Sequence, residues 1–390
     1  MRINWFSNAP WVSTGYGVQT KLFAPRIRDL GHEVSITSFF GLQGAPIYFD
    51  GMRVFPSYKH LYGQDIIGEH AAGAGAEVIV TLMDAWVVQP ENIPANIAWV
   101  PWFPVDHEPI SYRLTNTLKY APLVITMSKH GQAQAEKAGL KSVYVPHGTD
   151  TKKFAPMDMK EARRIVGMPE NAFIVGMVAA NKGPRKAFFQ QIAAFAALKQ
   201  KHADAFLYLH TDQGLFGSEA VNLVDYCAAL GLKPGLDVGF CDQYALTLSF
   251  SDEYMRAAYS AMDVHMLVSK GEGFGIPILE AQACGTPVIT GDWTSMSELC
   301  FSGWKVKKAE AEQTWEPFYN AWQWQTRVEP VADRLFAAYE MRGNDDYRQR
   351  ARAGAEAYDA DKITEKYWKP ALERIQEILD DSVSIKKVAE

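Results

Sequence analysis

The stretch Val268–Leu299, VSKGEGFGIPILEAQACGTPVITGDWTSMSEL, is the most informative part of this sequence. It opens with glycines around Glu272, continues into a short apolar pattern that contains Glu280, and ends in the β-branched run Val288–Thr290. This order predicts strand, glycine loop, helix, turn and strand, which is one unit of a parallel sheet. Backbone N–H groups at the start of such a helix favour an anion, so the stretch is typical of a site for a phosphate-bearing ligand.

The two glutamates of this stretch are eight residues apart, with Glu272 in the predicted loop and Glu280 in the first turns of the predicted helix. Both can therefore face one cleft. A carboxylate accepts hydrogen bonds from two adjacent hydroxyls, as on a ribose or a hexose. Solvated surface acids are the alternative for an isolated pair, but the glycine loop, the apolar helix Ile276–Ala283 and the following strand favour a binding site.

The bulk composition limits the class of protein. A chain of 390 residues predicts two or three domains, and 48% hydrophobic with 22% charged residues supplies two globular cores. A formal charge of −6 and a pI near 5.9 argue against a general nucleic-acid binder and give no support for docking to anionic lipid. The cysteines show no Cys-x-x-Cys spacing, which predicts buried thiols rather than metal ligands: Cys227, Cys241, Cys284 and Cys300.

The pattern of the first residues predicts a β-strand and contains no long apolar run, so we expect no signal peptide. The longest apolar run, Val78–Val88, contains Asp84 and is too short to span a bilayer. These observations predict a cytoplasmic protein without a transmembrane segment.

Two series of strands alternate with helical patterns, and this alternation predicts two doubly wound α/β domains. The polar, irregular residues 147–170 form the best linker candidate, so we expect a first domain over residues 1–160 and a second over 170–360. The strands expected in the second domain are Phe173–Ala179, Ala205–His210, Asp237–Phe240, Val264–Val268 and Pro287–Thr290, and its main helices are Arg185–Lys201 and Ser218–Leu230.

Two further segments offer phosphate contacts. Gly15 and Gly17 lie between the first strand and the helical pattern Val18–Leu30, although their spacing does not match the dinucleotide motif G-x-G-x-x-G. Arg185 and Lys186 stand at a predicted helix N-terminus after a strand, where two cations favour a diphosphate.

The segment EGFGIPILEAQACGTPVI resembles the signature of the retaining glycosyltransferases of family four, which have the GT-B fold. VPHGTDTKKFAP is similar to the interdomain segment of that family, GHEVSI to its second strand, and VITMSKH to the strand that precedes the interdomain segment. The resemblance implies two tandem Rossmann-like domains that face a central cleft, with a C-terminal helix (about 363–380) crossing back to the first domain. The first domain is then the acceptor domain and the second the nucleotide-sugar donor domain.

The resemblance also implies roles for residues. Glu280 matches the glutamate that binds the ribose, and Glu272 the one that contacts the donor sugar. The backbone of Gly273, Phe274 and Gly275 then lies against the sugar or phosphate. Lys186 is similar in position to the family's lysine, whereas the family's usual arginine is replaced near Asn181, so we expect Arg185 to compensate. Gly15 and Gly17 match the family's glycine loop, and His107 its histidine near the donor sugar, with Asp106 and Glu108 as competing candidates.

The expected function is retaining transfer of a hexose of glucose or mannose type, with α-linkage, from a UDP- or GDP-sugar to an acceptor hydroxyl. No cofactor is expected besides this donor substrate. We also expect metal independence, since no Asp-x-Asp motif is seen to offer a ligand pair. The acceptor stays open among a glycan, a lipid-linked or small molecule, and a modified nucleic-acid base. A nucleotide-sugar epimerase and a non-catalytic nucleotide-sugar or glycan-binding protein are the alternative functions.

Two other regions have open interpretations. His210-Thr211-Asp212 and Cys241-Asp242-Gln243 end two strands of the second domain, where they could contact the base of the donor. The tryptophan-rich segment 304–324 is either additional core or a surface for carbohydrate stacking or subunit contact.

Overall fold

The computed structural model describes residues 1–215 and 220–389, with side chains described as far as Asp381. The strands are β1 (Arg2–Asn8), β2 (Glu33–Phe40), β3 (Ile47–Phe49), β4 (Met52–Phe55), β5 (Val78–Leu82), β6 (Ala98–Phe103), β7 (Val124–Thr126), β8 (Ser142–Tyr144), β9 (Phe173–Val178), β10 (Ala205–His210), β11 (Val238–Phe240), β12 (Val264–Leu267), β13 (Val288–Gly291), β14 (Gly303–Val306), β15 (Ala311–Glu316) and β16 (Ala321–Thr326). The α-helices are α1 (Gly15–Asp29), α2 (Ile67–Gly73), α3 (Tyr112–Leu118), α4 (Lys129–Lys137), α5 (Met159–Val166), α6 (Phe188–Lys201), α7 (Leu223–Ala229), α8 (Gln243–Leu248), α9 (Asp252–Ala261), α10 (Ile276–Ala283), α11 (Met296–Leu299), α12 (Val328–Glu340), α13 (Asp345–Ala355), α14 (Ala360–Ile363) and α15 (Lys369–Ala389).

The chain divides into two compact units. Unit 1 holds Met1–Gly148, Pro317–Ala321 and Asp359–Glu390, and unit 2 holds Thr149–Glu316 and Trp322–Tyr358. The division thus falls before the expected boundary at residues 160–170. The reason is α5, whose Arg163 donates to the Asp263 carboxylate at 2.7 Å and so fixes the linker region within unit 2.

Unit 1 is built on an eight-stranded sheet of order β3-β4-β2-β1-β5-β6-β7-β8. Its paired strands run parallel except β3 and β4, which pair antiparallel at one edge. The central strand β1 is buried on both faces, as expected where helices cover a parallel sheet. Trp368 packs its ring 4.9 Å from Trp102 and 5.5 Å from Trp5, which places the C-terminal segment in the core of unit 1.

Unit 2 has a six-stranded parallel sheet of order β11-β10-β9-β12-β13-β14. Numbered from β9, this is the order 3-2-1-4-5-6 of a doubly wound domain, and the order reverses between β9 and β12. All five strands expected for this domain are confirmed within two residues at each end. The helix expected over Ser218–Leu230 is α7, and residues 216–219 lie outside the described part of the chain.

The tryptophan-rich segment contains a two-stranded sheet of β15 and β16. Trp315 and Trp322 are exposed at 48% and 38%, and their rings meet edge to face at 5.0 Å. Trp324 is buried, and the Lys308 ammonium lies 3.9 Å from its ring centroid. The segment is therefore neither all core nor all surface.

Candidate functional site

The central feature of unit 2 is the point where its strand order reverses. In open α/β sheets, ligands bind outside the carboxyl ends of the strands at this point. The loop after β9 carries Arg185 and Lys186, and the loop after β12 carries Glu272. A backbone hydrogen bond of 2.8 Å from Lys270 to the Arg185 carbonyl joins the two loops. The reversal point therefore brings together three residues that are distant in sequence.

Glu272 is the centre of this cluster. Its Oε1 accepts hydrogen bonds from Lys186 Nζ and from the Ser269 hydroxyl, both at 2.5 Å. Arg185 Nη1 lies 3.2 Å from Oε2 and donates to the Gly271 carbonyl at 2.7 Å. In this structure the two predicted phosphate-binding cations are paired with the predicted sugar-binding carboxylate.

The same contacts fix the charge of Glu272. Burial alone would raise the pKa of its carboxyl, since the side chain is only 7% exposed. The charges of Lys186 and Arg185, with the hydrogen bonds from Lys186 and Ser269, instead lower the pKa of Glu272 to about 2. The site therefore keeps a carboxylate and two cations charged at neutral pH.

Two helices start beside this cluster with their first N–H groups uncapped by the side chains that the structure describes. α6 begins after Ala187 and α10 after Gly275, both in the left-handed region, with φ of 50° and 105°. Five other helices of unit 2 start with a side-chain cap, from Asp158, Asn222, Asp242, Ser251 and Asn344. Uncapped N-terminal amides carry partial positive charge and suit an anion.

Hydroxyl groups hold the loop before α10 in shape. Thr294 Oγ1 accepts a hydrogen bond of 3.2 Å from the Glu272 amide. Ser295 Oγ lies 2.7 Å from the Glu272 carbonyl and 2.6 Å from that of Phe274. No motif in the sequence marks Ser269, Thr294 or Ser295, although all three lie within Val268–Leu299.

Glu280 lies one helical turn into α10, and its environment differs from that of Glu272. It is half-buried, and its Oε2 accepts a hydrogen bond of 2.9 Å from the Tyr259 hydroxyl on α9. Burial raises the pKa of Glu280 to about 7; the Asp252 charge adds to this effect, and the Tyr259 hydrogen bond opposes it. The group therefore changes charge near neutral pH.

The predicted glycine loop of unit 1 is a helix start. Gly15 and Gly17 are the first and third residues of α1, and Thr14 Oγ1 caps the helix by accepting from the Gly17 amide at 3.1 Å. A Cβ at Gly17 would lie 2.2 Å from the Val12 carbonyl oxygen. Glycine is thus required at 17 by the chain's own backbone, and this requirement is independent of any bound phosphate.

His107 is almost fully buried in unit 1, at 1% exposure. The Ser111 amide donates to its Nε2 at 3.1 Å, and its Nδ1 lies 2.9 Å from the Asp106 carboxylate. The His107 carbonyl accepts from His130, and its ring stacks on Tyr319 at 4.9 Å. Both ring nitrogens therefore have protein partners, which restricts the ring's access to a donor sugar.

The two strand ends expected near the base do meet in unit 2. Gln243 Nε2 donates to the Cys241 carbonyl at 2.8 Å and to the Thr211 carbonyl at 3.1 Å. Burial lowers the pKa of His210 to about 4, which keeps its ring neutral. These contacts place the ends of β10 and β11 side by side.

The sequence does contain one Asp-x-Asp triplet, Asp359-Ala360-Asp361, contrary to the expectation above. Asp359 caps α14 and Asp361 pairs with Arg26 at 2.8 Å, so both carboxylates have structural partners in unit 1. Within residues 1–215 and 220–389 there is no cluster of three or more His, Cys, Asp or Glu side chains suited to a metal ion. Of the cysteines, three are buried and Cys300 is half-buried. No helix of the described chain has the length and apolar character needed to cross a membrane.

Residues 158–303 match the family model described as glycosyl transferases group 1. Over 155 residues the chain is 31% identical to a D-inositol 3-phosphate glycosyltransferase of Geodermatophilus obscurus. The aligned segment covers 38% of this chain and 32% of that protein. It is 29% identical over 170 residues to the serotype-specific mannosyltransferase WbdA of Escherichia coli, covering 40% of this chain and 20% of that protein. The chain thus matches about a third or less of the length of these relatives.

Solved structures match nearly the whole chain. Sucrose-phosphate synthase from Thermosynechococcus elongatus superposes with a TM-score of 0.71 at 16% identity, covering 99% of this chain and 100% of that one. HepE from Anabaena, solved in complex with UDP-glucose, superposes with a TM-score of 0.70 at 18% identity, covering 96% and 100%. The chain therefore has the GT-B fold, and its residues 158–303 are similar to the domain described as glycosyl transferases group 1.

Proposed function

We propose that this protein is a retaining glycosyltransferase that moves a hexose of glucose or mannose type from a UDP- or GDP-sugar to an acceptor hydroxyl, forming an α-linkage. Unit 2 binds the donor and unit 1 the acceptor, which is a glycan, a lipid-linked or small molecule, or a modified nucleic-acid base. The observation that carries the proposal is the grouping of Glu272, Lys186 and Arg185 beside two uncapped helix starts, with Glu280 one turn along α10.

The cations and the helix starts act on the diphosphate. Negative charge grows on the leaving phosphate as the bond to the sugar breaks, and donors already aimed at that position lower the barrier. Lys186 and Arg185 supply full charges, and the first amides of α6 and the Ile276 amide of α10 supply partial ones. Donor binding lets the two cations share their contacts between Glu272 and the phosphate.

The glutamates act on hydroxyl groups. Glu272, held ionised by its pKa of about 2, accepts from a hydroxyl of the donor sugar, and Glu280 accepts from the ribose. Retention proceeds on one face of the sugar, with the leaving phosphate taking the acceptor proton, so no protein nucleophile is required. The cations do the electrostatic work that a metal ion does elsewhere, and we propose that the reaction is metal-independent.

The names of two similar proteins support the proposed class of donor. WbdA is named a mannosyltransferase, and HepE binds UDP-glucose in its solved complex. These names cover both sugar types and one of the two nucleotides of the proposal, and they set the first donors to test.

The test is equilibrium binding of UDP and GDP, followed by turnover of UDP-glucose and GDP-mannose with and without acceptor glycans. We expect one of the two nucleotides to bind. The corresponding nucleotide sugar should be hydrolysed slowly without acceptor, at the same rate with and without EDTA. Interconversion of the free nucleotide sugar without release of nucleotide would establish an epimerase instead. Binding with no turnover of any donor would establish a binding protein.

A further inference from the structure

Tyr259 is a buried residue of unit 2 that none of the roles above uses. It lies on α9, outside the stretch that contains both glutamates, and its side chain is fully buried. Its hydroxyl ends 2.9 Å from Glu280 Oε2. A buried phenol whose polar atom reaches a candidate ligand-binding carboxylate calls for a functional explanation.

The direction of this hydrogen bond is fixed. Burial, together with the neighbouring Glu280 charge, raises the pKa of Tyr259 well above its ordinary value. The phenol therefore keeps its proton throughout the physiological range and donates to Glu280. One carboxylate oxygen is thereby engaged, and the other, Oε1, remains for a ligand.

Tyr259 is itself held in place. Thr286 Oγ1 donates to the Tyr259 carbonyl at 2.8 Å. The Tyr259 ring meets Phe154 and His265 edge to face, at 6.2 Å and 5.9 Å. The phenol therefore serves as a rigid support rather than as a mobile partner.

The other ionisable groups near Glu280 or Tyr259 come from four elements. Asp252, at the start of α9, raises the pKa of Glu280 and pairs with Lys153 at 3.3 Å. The remaining groups are Arg256 on α9, His265 on β12, Cys284 after α10, and Arg348 and Arg352 on α13. Burial keeps Cys284 protonated and His265 neutral, since their pKa values are about 12 and about 3. Unlike these groups, Tyr259 has a hydrogen bond to the Glu280 carboxylate that the structure shows directly.

We propose that Tyr259 is the positioning residue of the ribose site: its hydroxyl fixes the Glu280 carboxylate so that Oε1 faces the ribose diol of the donor. The inference rests on the proposed function, because it takes Glu280 as the ribose ligand. It adds a residue from a neighbouring helix and a prediction about pH. Loss of the phenol hydrogen bond removes a contact that favours the ionised carboxylate, so nucleotide affinity then falls at a higher pH than in the wild type.

The experiment compares Tyr259→Phe with wild type in the binding of UDP or GDP, whichever the wild type binds, between pH 6 and pH 9. We expect affinity to fall roughly three- to tenfold at pH 8, the effect of one lost hydrogen bond. The midpoint of the affinity decrease on acidification moves up, KM for the donor rises, and kcat stays the same. Because each comparison uses one ligand at one pH, titration of the phosphate itself cancels.

Three controls separate positioning from general damage. Tyr339→Phe removes a similar hydrogen bond, from Tyr339 to the Asp204 carboxylate at 2.8 Å, elsewhere in unit 2, and should leave affinity unchanged. The 2′,3′-dideoxy form of the same nucleoside diphosphate lacks the diol, and Tyr259→Phe should not weaken its binding. In a Glu280→Gln background, Tyr259→Phe should have little further effect on nucleotide affinity.

The outcomes are distinguishable. A wild-type protein that binds neither UDP nor GDP overturns the proposed function and this inference together. Nucleotide binding whose strength and pH profile are unchanged by Tyr259→Phe overturns the inference alone. So does a Tyr259→Phe effect that is equal for the ribose and dideoxy ligands, because that result marks a structural role.

Discussion

Glu272 and Glu280 are two carboxylates of one sequence motif, and the structure moves their pKa values in opposite directions. The pKa of Glu272 is lowered to about 2, and that of Glu280 is raised to about 7. Burial raises both. The two pKa values differ because the partners differ. Glu272 in the loop contacts the cations Lys186 and Arg185. Glu280 in the helix accepts a hydrogen bond from a phenol and is affected by the negative charge of Asp252.

The spacing of the two glutamates alone therefore does not assign their roles. Environments that push two pKa values apart commonly separate two chemical tasks. Glu272 stays charged beside Lys186 and Arg185, and we propose that it contacts the donor sugar. Glu280 changes charge near neutral pH, and we propose that it contributes to donor binding. The variants below test that division.

The largest effect should come from Glu272→Gln. The amide keeps the shape of the side chain but removes the charge that contacts the donor sugar in our proposal. We expect kcat for the best donor to fall roughly 100- to 1000-fold, the size typical of a lost electrostatic contact in the transition state. Nucleotide affinity should change by about threefold or less, measured by calorimetry on the same preparation.

Glu253→Gln is the matched control for this experiment, since Glu253 is an exposed acid in the first turn of α9. It should keep wild-type kcat and affinity. Equal losses of affinity and kcat in Glu272→Gln would contradict the division of roles between the two glutamates.

The second effect concerns stability and tests the cause of the Glu272 charge. Lys186→Met leaves a carboxylate that is 7% exposed with Arg185 as its remaining cation. Removing one partner of a buried ion pair typically costs about 3–5 kcal/mol, and we expect about 3 because Arg185 stays. Urea denaturation at pH 7 measures the change in the free energy of unfolding.

Acid titration of the two proteins tests the direction in which Lys186 shifts the pKa of Glu272. In the wild type, ionised Glu272 contributes stability above its ordinary pKa of 4.5, and this contribution is lost as the pH falls toward about 2. In Lys186→Met the pKa of Glu272 rises, so the loss begins at higher pH. Lys369→Met, which removes an exposed pair with Glu365, should cost about 1 kcal/mol or less. An acid profile of Lys186→Met identical to that of wild type would show that Lys186 does not set the Glu272 charge.

The sequence predicted the part of this site that one local segment encodes. Strand, loop, α10 and β13 follow directly from the pattern of Val268–Leu299, and the parallel order of unit 2 follows from the alternating series of strands and helices. The meeting of Arg185 and Lys186 with Glu272 could also be expected, because both loops follow strands on one sheet edge. The family resemblance added roles for the residues.

The partners that arrive from elsewhere in the chain could not be predicted. Tyr259 reaches Glu280 from α9, and no local pattern marks a tyrosine for that contact. The requirement for glycine at 17 comes from the position of the Val12 carbonyl, which no sequence pattern shows. The family resemblance marks His107, but its hydrogen bonds with Ser111 and His130 depend on the tertiary fold.

The smallest effect should come from Glu280→Gln, and it should carry the sign opposite to that of Lys186→Met. Since the pKa of Glu280 is raised from 4.5 to about 7 in the folded protein, ionisation of this group costs stability as the pH rises between those values. The cost is complete above about pH 7, so Glu280→Gln should be more stable than wild type by about 1 kcal/mol at pH 8, a figure reduced for solvent screening of a half-buried group. Near pH 5 the wild-type carboxyl is already protonated and the difference should nearly vanish. Thermal melts of the two proteins at pH 5 and pH 8, without nucleotide, measure it. A Gln variant that is less stable than wild type at pH 8 would mean that Glu280 is held as a favourable charge like Glu272, and the contrast between the two carboxylates would then be lost.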